Sequence, residues 1–370
     1  MRLFKCQNCE QLLYFENTHC ERCKYRLGYL PDGAILSALE PEGDNWKPLA
    51  APETQRRFCA NAEFDVCNWT IPADSPDSYC AACRHNHLIP DTSVPENMQA
   101  WRLLELAKHR LFYSLVRFCL PMPTRNEDPE GLAFDFLADS ADPSGPKVMT
   151  GHDNGLITIA LKEADDAERE RMRKNMGEPY RTLVGHFRHE VGHYFWDRLV
   201  RDGGQLEACR AVFGDDSQSY EAALQRHYNE GPPPDWQDHY VSAYATTHPW
   251  EDFAETWAHY LHIVDTLGTA AAFGLTVNPR IDSSGDLHAV IDFDPYKEGD
   301  FQRIIQDWLP LAFAVNSMNR SMGQPDLYPF VLSPAVIQKM EFIHNLVRNS
   351  GVPAMAASQE APPPEPPPGG

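Results

Sequence analysis

Residues 189–193 read His189-Glu190-Val191-Gly192-His193. Two histidines four apart on a helix leave the same face, so both imidazoles can hold one metal ion, and Glu190 beside them can reach a water on that ion. The apolar residues of the same stretch, Val184, Phe187, Val191, Phe195 and Leu199, recur at helical spacing on a different stripe. A helix with its core face elsewhere leaves the histidine stripe open for chemistry. A catalytic zinc needs a third protein ligand and an open position. The segment His248-Pro249-Trp250-Glu251-Asp252-Phe253-Ala254-Glu255 offers two carboxylates four apart, just after a proline suited to a helix's first turn. One can bind the zinc while the other holds a ligand histidine in position. His259 is the alternative third ligand. With His262 it continues the polar stripe, while Phe253, Trp257 and Leu261 supply the packed one. His186, seven residues before His193, is expected to flank the cleft rather than bind metal. Such a set predicts hydrolysis by a water that zinc acidifies toward a pKa of ~7, with Glu190 taking the proton and passing it to the leaving group.

Eight of the ten cysteines fall in the first quarter of the chain. Cys6, Cys9, Cys20 and Cys23 form two CxxC knuckles, the spacing that closes four thiolates around one zinc. Cys59, Cys67, Cys80 and Cys83 form a second set, with one knuckle and two looser members. Four thiolates leave no open position, so both sites are expected to be structural, each contributing on the order of 10 kcal/mol to folding. The zinc complement expected is thus one catalytic and two structural ions. His85 and His87 could replace one cysteine, but surface positions are the preferred reading. Cys119 and Cys209 are read as packing residues.

The elements that position these groups follow from pattern. Residues 1–95 lack helical periodicity and form a small metal-stapled module. Residues 99–118 carry an apolar stripe through Leu104, Leu111, Leu115 and Phe118, so a helix begins a second unit near residue 96. Residues 131–137 alternate as a strand, and Asp153-Asn154-Gly155 signals a tight turn before the β-rich run Leu156–Leu161. Helices are predicted over 163–175, from Pro179 to about Val200, from Pro249 to about Leu267, and near 300–320 and 334–349. Residues 280–300 look like a polar strand-and-turn insertion. From 352 to 370 the chain is Pro-rich and expected to be disordered.

A formal charge of −21, from 32 Lys+Arg and 53 Asp+Glu, opposes nucleic-acid and anionic-membrane binding. The first hundred residues hold nine basic and fourteen acidic side chains, so the cysteine module lacks a DNA reader's footprint. A protein or peptide partner is expected instead. No run approaches the ~20 apolar residues of a membrane span. The start has no apolar core of a signal peptide, so a cytoplasmic location is expected, with reduced thiols.

The chain resembles a bacterial family of zinc-binding metallopeptidases with an N-terminal zinc-ribbon region. The ribbon cysteines, HFRHEVGHYFWD and HPWEDFAETWAHY carry the likeness. The two motifs together look like the gluzincin class, and residues 244–255 are similar to the catalytic end of anthrax lethal factor. That similarity implies Glu251 as zinc ligand, Glu255 as the carboxylate behind a ligand histidine, and Tyr244 as hydrogen-bond donor to the oxyanion. The implied fold is α+β: a zincin-like domain over 96–351, with the HExxH helix, a small sheet and a mainly helical C-terminal part, after a zinc-ribbon module over 1–95. In zincin folds a strand upstream of the active helix pairs with extended substrate, which gives Leu156–Leu161 that role. The competing expectation is a zinc-ribbon interaction or regulatory protein with an inactive or restrained peptidase fold.

Overall fold

Short strands separated by knuckles and turns make up the start of the chain. In the computed structural model, which describes residues 2–140, 142, 144–145, 147–176 and 182–350 (the side chains of 174–176 excepted), β1 (Phe4–Lys5) and β2 (Leu12–Leu13) pair around the first knuckle. β3 (Arg26–Leu30), β4 (Ile35–Glu42), β5 (Asn45–Pro48), β6 (Arg56–Phe58) and β7 (Thr70–Pro72) form an antiparallel sheet in chain order. A parallel bridge between Tyr29 and Trp69 brings β3 back against the entry to β7, so the sheet curls on itself. The closure depends on Gly28, where a Cβ would lie 2.6 Å from Thr70 Cγ2.

β8 (Asn86–Leu88) leaves this module for the next. After α1 (Pro95–Arg117), it joins β9 (Ala133–Leu137), β10 (Gly151–Asp153) and β11 (Leu156–Ala160) in a second sheet, ordered β10-β11-β9-β8. The strands are parallel except β10. The helix expected at residue 99 starts at Pro95, a residue favoured at the first helical position, and buries Trp101, Leu104, Leu111, Phe112 and Leu115. Asn154 and Gly155, at φ of 46° and 82°, turn β10 into β11. That hairpin occupies one side of β11, and β9 occupies the other. The strand expected to pair with substrate is therefore interior, and the edge strand beside it is β10.

Helices cover the rest: α2 (Asp166–Met176), α3 (Leu183–Phe195), α4 (Leu206–Phe213), α5 (Tyr220–Glu230), α6 (Pro249–Ala272), α7 (Phe301–Ser321) and α8 (Pro334–Ser350). A two-residue hairpin, β12 (Thr276–Val277) with β13 (Ala289–Val290), marks the expected polar insertion. The Pro179 start expected for α3 and the Pro-rich tail lie outside the described residues. α3 begins instead where the Thr182 hydroxyl accepts the Gly185 N–H at 3.0 Å, and it runs on into a π-helical turn, Trp196–Arg201. Among the described residues, no helix is long and apolar enough to cross a membrane. The fold is thus mixed α and β, as expected.

The crossing of α3 and α6 positions the chemistry. A Cβ on Gly192 would stand 2.9 Å from Ala254 Cα, so the glycine lets the two backbones meet. Arg188 fastens the same pair of helices by donating to Asp265 at 2.8 Å and to His262 at 2.5 Å. Lys339 of α8 holds the first turn of α6 through Asp252 at 2.6 Å.

Candidate functional site

α3 presents His189 and His193 to the first turns of α6, which carry Glu251 and Glu255. Pro249 and the His248 imidazole, which accepts the Trp250 N–H at 3.1 Å, start α6 at the position that aims both carboxylates toward α3. His189 Nε2 and His193 Nε2 lie 3.2 Å apart, and Glu251 Oε2 lies 3.0 and 3.4 Å from them. Three ligands of a tetrahedral zinc at ~2.0–2.1 Å stand about 3.3 Å apart. Glu251 Oε2 is buried and hydrogen-bonded to no described group. A buried carboxylate oxygen without a donor, aimed at two imidazole nitrogens, fits a cation and little else. The trio expected from sequence is brought together.

The groups behind the trio hold it. Glu255 accepts from His189 Nδ1 at 2.6 Å, which turns that ring's Nε2 toward Glu251, and accepts from the Ser242 hydroxyl at 2.6 Å. Burial would raise the Glu255 carboxyl, but the bonds from His189 and Ser242 hold it down to about 2. The Trp250 ring lies 3.6 Å from that of His193 and fixes its plane. Tyr220 of α5 donates to Glu251 Oε1 at 2.7 Å, leaving Oε2 facing the histidines. Tyr244 stands with its ring 6.0 Å from that of His189. Burial and the charge of Glu251 push both phenols upward, so both keep their hydrogens as donors. Glu190 is half-buried and makes no hydrogen bond or ion pair among the described residues.

Other expected residues go elsewhere. His259, the alternative third ligand, turns to the Tyr328 hydroxyl at 2.8 Å and packs on Phe330, outside the trio. His186 sits 3.1 Å from the buried carboxylate of Glu163. His85 is buried rather than on the surface, with its Nδ1 2.8 Å from the Leu132 carbonyl, because β8 draws it into the second sheet. His87 meets Asp135 at 2.7 Å. Neither replaces a cysteine. Sequence reasoning missed Ser242, Tyr220 and Trp250. Only Trp250, next to a ligand, had a local signal.

Both cysteine sets assemble, each with its sulfurs within 4.8 Å of one another. The first is two matching knuckles: Glu10 N–H donates to the Cys6 carbonyl and Lys24 N–H to the Cys20 carbonyl, both at 2.8 Å, with Glu10 and Lys24 at positive φ. In the second set all four cysteines are buried, and the Trp69, Cys80 and Cys83 amides donate to sulfur at 3.3–3.4 Å. None of the ten cysteines is in a disulfide.

A family model described as "Putative zinc-binding metallo-peptidase" matches residues 97–346, and a zinc-ribbon domain model matches residues 3–94. Proteins from Mycobacterium bovis and from two strains of Mycobacterium tuberculosis, each carrying the name uncharacterized protein, are 42% identical over 349 residues. The match covers 94% of this chain and 95% of each relative. No solved structure matches.

Proposed function

Because the chain belongs to the zinc-binding metallo-peptidase family matched by residues 97–346, we propose that it hydrolyses peptide bonds with Glu190 as general base. The observation that carries this reading is the convergence of His189, His193 and Glu251 at zinc-ligand spacing, beside a Glu190 free of partners. Zinc held by that trio supplies Lewis acidity, lowering the pKa of water toward ~7 and polarising a carbonyl. Glu190 accepts the proton of the attacking water and returns it to the departing amine. Tyr244 donates its O–H to the oxygen that gains charge on the scissile carbonyl. Glu255 and Ser242 hold the His189 ring, and Tyr220 holds Glu251, so the ligands need no reorganisation during the reaction.

The substrate is an extended peptide, added to the edge strand β10. Its His152 ring lies 6.2 Å from that of His193, so a peptide paired there runs past the metal ligands. The two cysteine clusters hold structural zinc as thiolates, and cysteines that serve as metal ligands rather than as disulfides suit a reducing compartment, the cytosol.

The test compares protein N-termini in cells carrying wild type and Glu190→Ala. Termini present only with wild type are expected, while the purified variant keeps its zinc. Identical termini in both would remove the peptidase reading, and loss of one zinc in the variant would make Glu190 a ligand.

A further inference from the structure

The second cysteine cluster extends beyond the ribbon. From α1, 42 residues after Cys67, His109 brings its Nε2 to 3.2 Å from Cys67 Sγ and 3.6 Å from Cys83 Sγ. Its Nδ1 lies 2.6 Å from the Glu105 carbonyl, one turn back, and a carbonyl oxygen only accepts. The ring is buried, with Trp69 packed edge-on at 5.3 Å. Beneath it the Glu105 carboxylate takes hydrogen bonds from Trp101 at 3.1 Å, Asn86 at 2.7 Å and Lys108 at 2.9 Å. Glu105 and Lys108 have no exposed surface. Groups buried this completely are costly unless every one has a partner.

Four thiolates fill a tetrahedral zinc, so a fifth ligand has no place on it. They also leave the cluster net negative, a charge that its buried surroundings must offset. We infer that His109 belongs to the second zinc centre as an N–H donor to the Cys67 and Cys83 thiolates. The centre is then a joint that ties zinc in the ribbon to the seating of α1. Through α1, which packs on α3, loss of this zinc loosens the helix that carries the HExxH residues. His109 is a positioning residue: it touches the sulfurs, not the metal.

Cadmium-113 NMR of the cadmium-loaded protein tests the coordination, and zinc release to a chromophoric chelator tests the linkage. In the wild type, the second centre should give a four-sulfur resonance. His109→Ala should shift that resonance alone. It should speed zinc release from that centre roughly 10-fold or more, in line with the loss of a group bonded to a ligand. The first centre, with no such histidine, serves as the internal control. His109→Gln, whose amide can still donate to sulfur, should recover part of the retention. Hydrogen exchange in 99–117 should quicken when the second zinc leaves. A three-sulfur, one-nitrogen resonance in the wild type would make His109 a ligand and overturn the inference. So would unchanged release in His109→Ala, or unchanged exchange in α1. If the alanine variant does not fold, the wild-type resonance and the glutamine variant still decide.

Discussion

Gly192 is the most sensitive position of the helix crossing, and Gly192→Ala measures how tightly the metal trio depends on it. The added Cβ would meet Ala254 at 2.9 Å from Cα, 3.2 Å from O and 3.3 Å from Cβ. The nearest of these is backbone, which cannot rotate away. Ordinary carbon contacts lie at about 3.5–4.0 Å, so α3 and α6 must separate by about 0.6–1.1 Å. Gly192 is next to His193, and Ala254 is three residues from Glu251, so nearly all of that separation reaches the ligands. A zinc site tolerates about 0.2 Å in its ligand distances. Stability should change far less. Overpacking costs about 1–3 kcal/mol, offset by about 1 kcal/mol from alanine's better helix propensity. The variant should therefore fold, with a melting temperature lower by a few degrees, and should bind the catalytic zinc at least about tenfold more weakly, a loss of about 1.4 kcal/mol. Elemental analysis after gel filtration should fall from three zincs per chain to two. Three zincs held at wild-type affinity would refute the claim that the crossing sets the site's geometry.

Glu251→Ala should release the catalytic zinc and leave the two cysteine-bound ions, whereas His259→Ala should keep all three; zinc counts on the purified variants check both. Tyr244→Phe should keep full metal and lower the hydrolysis rate constant by about 100-fold, the loss of one oxyanion donor, once a cleavable peptide is in hand. Tyr220→Phe removes the donor to Glu251 Oε1 and should weaken the catalytic zinc roughly tenfold, read by competition with a chelator.

The convergence of His189, His193 and Glu251 was legible because its signals are local. His189 and His193 share a helix face by spacing alone, and Pro249 announces the helix that presents Glu251 and Glu255. Assigning Glu251 rather than Glu255 to the metal required the resemblance, since four-apart carboxylates look alike in sequence. Tyr220, Ser242 and His109 were illegible for the opposite reason. Each is an ordinary polar residue on a helix or loop, and its role comes from a partner 13 to 42 residues away. The helix carrying Tyr220 went unread as well, being short and half-exposed. The hairpin at Asn154-Gly155 was read correctly, but a turn specifies only a strand's neighbour. It says nothing of what lies on the other side, and so β11 was expected at the edge that β10 holds.

β8 has a consequence for dividing the chain. A cut at the start of α1 looks natural, yet it strips Asn86–Leu88 from the sheet they complete. β9 then becomes an open rim bearing Ala-Phe-Asp-Phe-Leu, an aromatic segment whose backbone donors and acceptors face no partner. Such a rim is a template for strands of other chains, so the excised C-terminal piece should precipitate or self-assemble rather than stay monomeric. Cutting ahead of His85 spares the rim but leaves His109 and the Glu105 carboxylate facing a void where Cys67 and Cys83 had been. By this reasoning neither half should fold well when cut from the other, because β8 and His109 tie ribbon and helical unit together from both sides of the boundary.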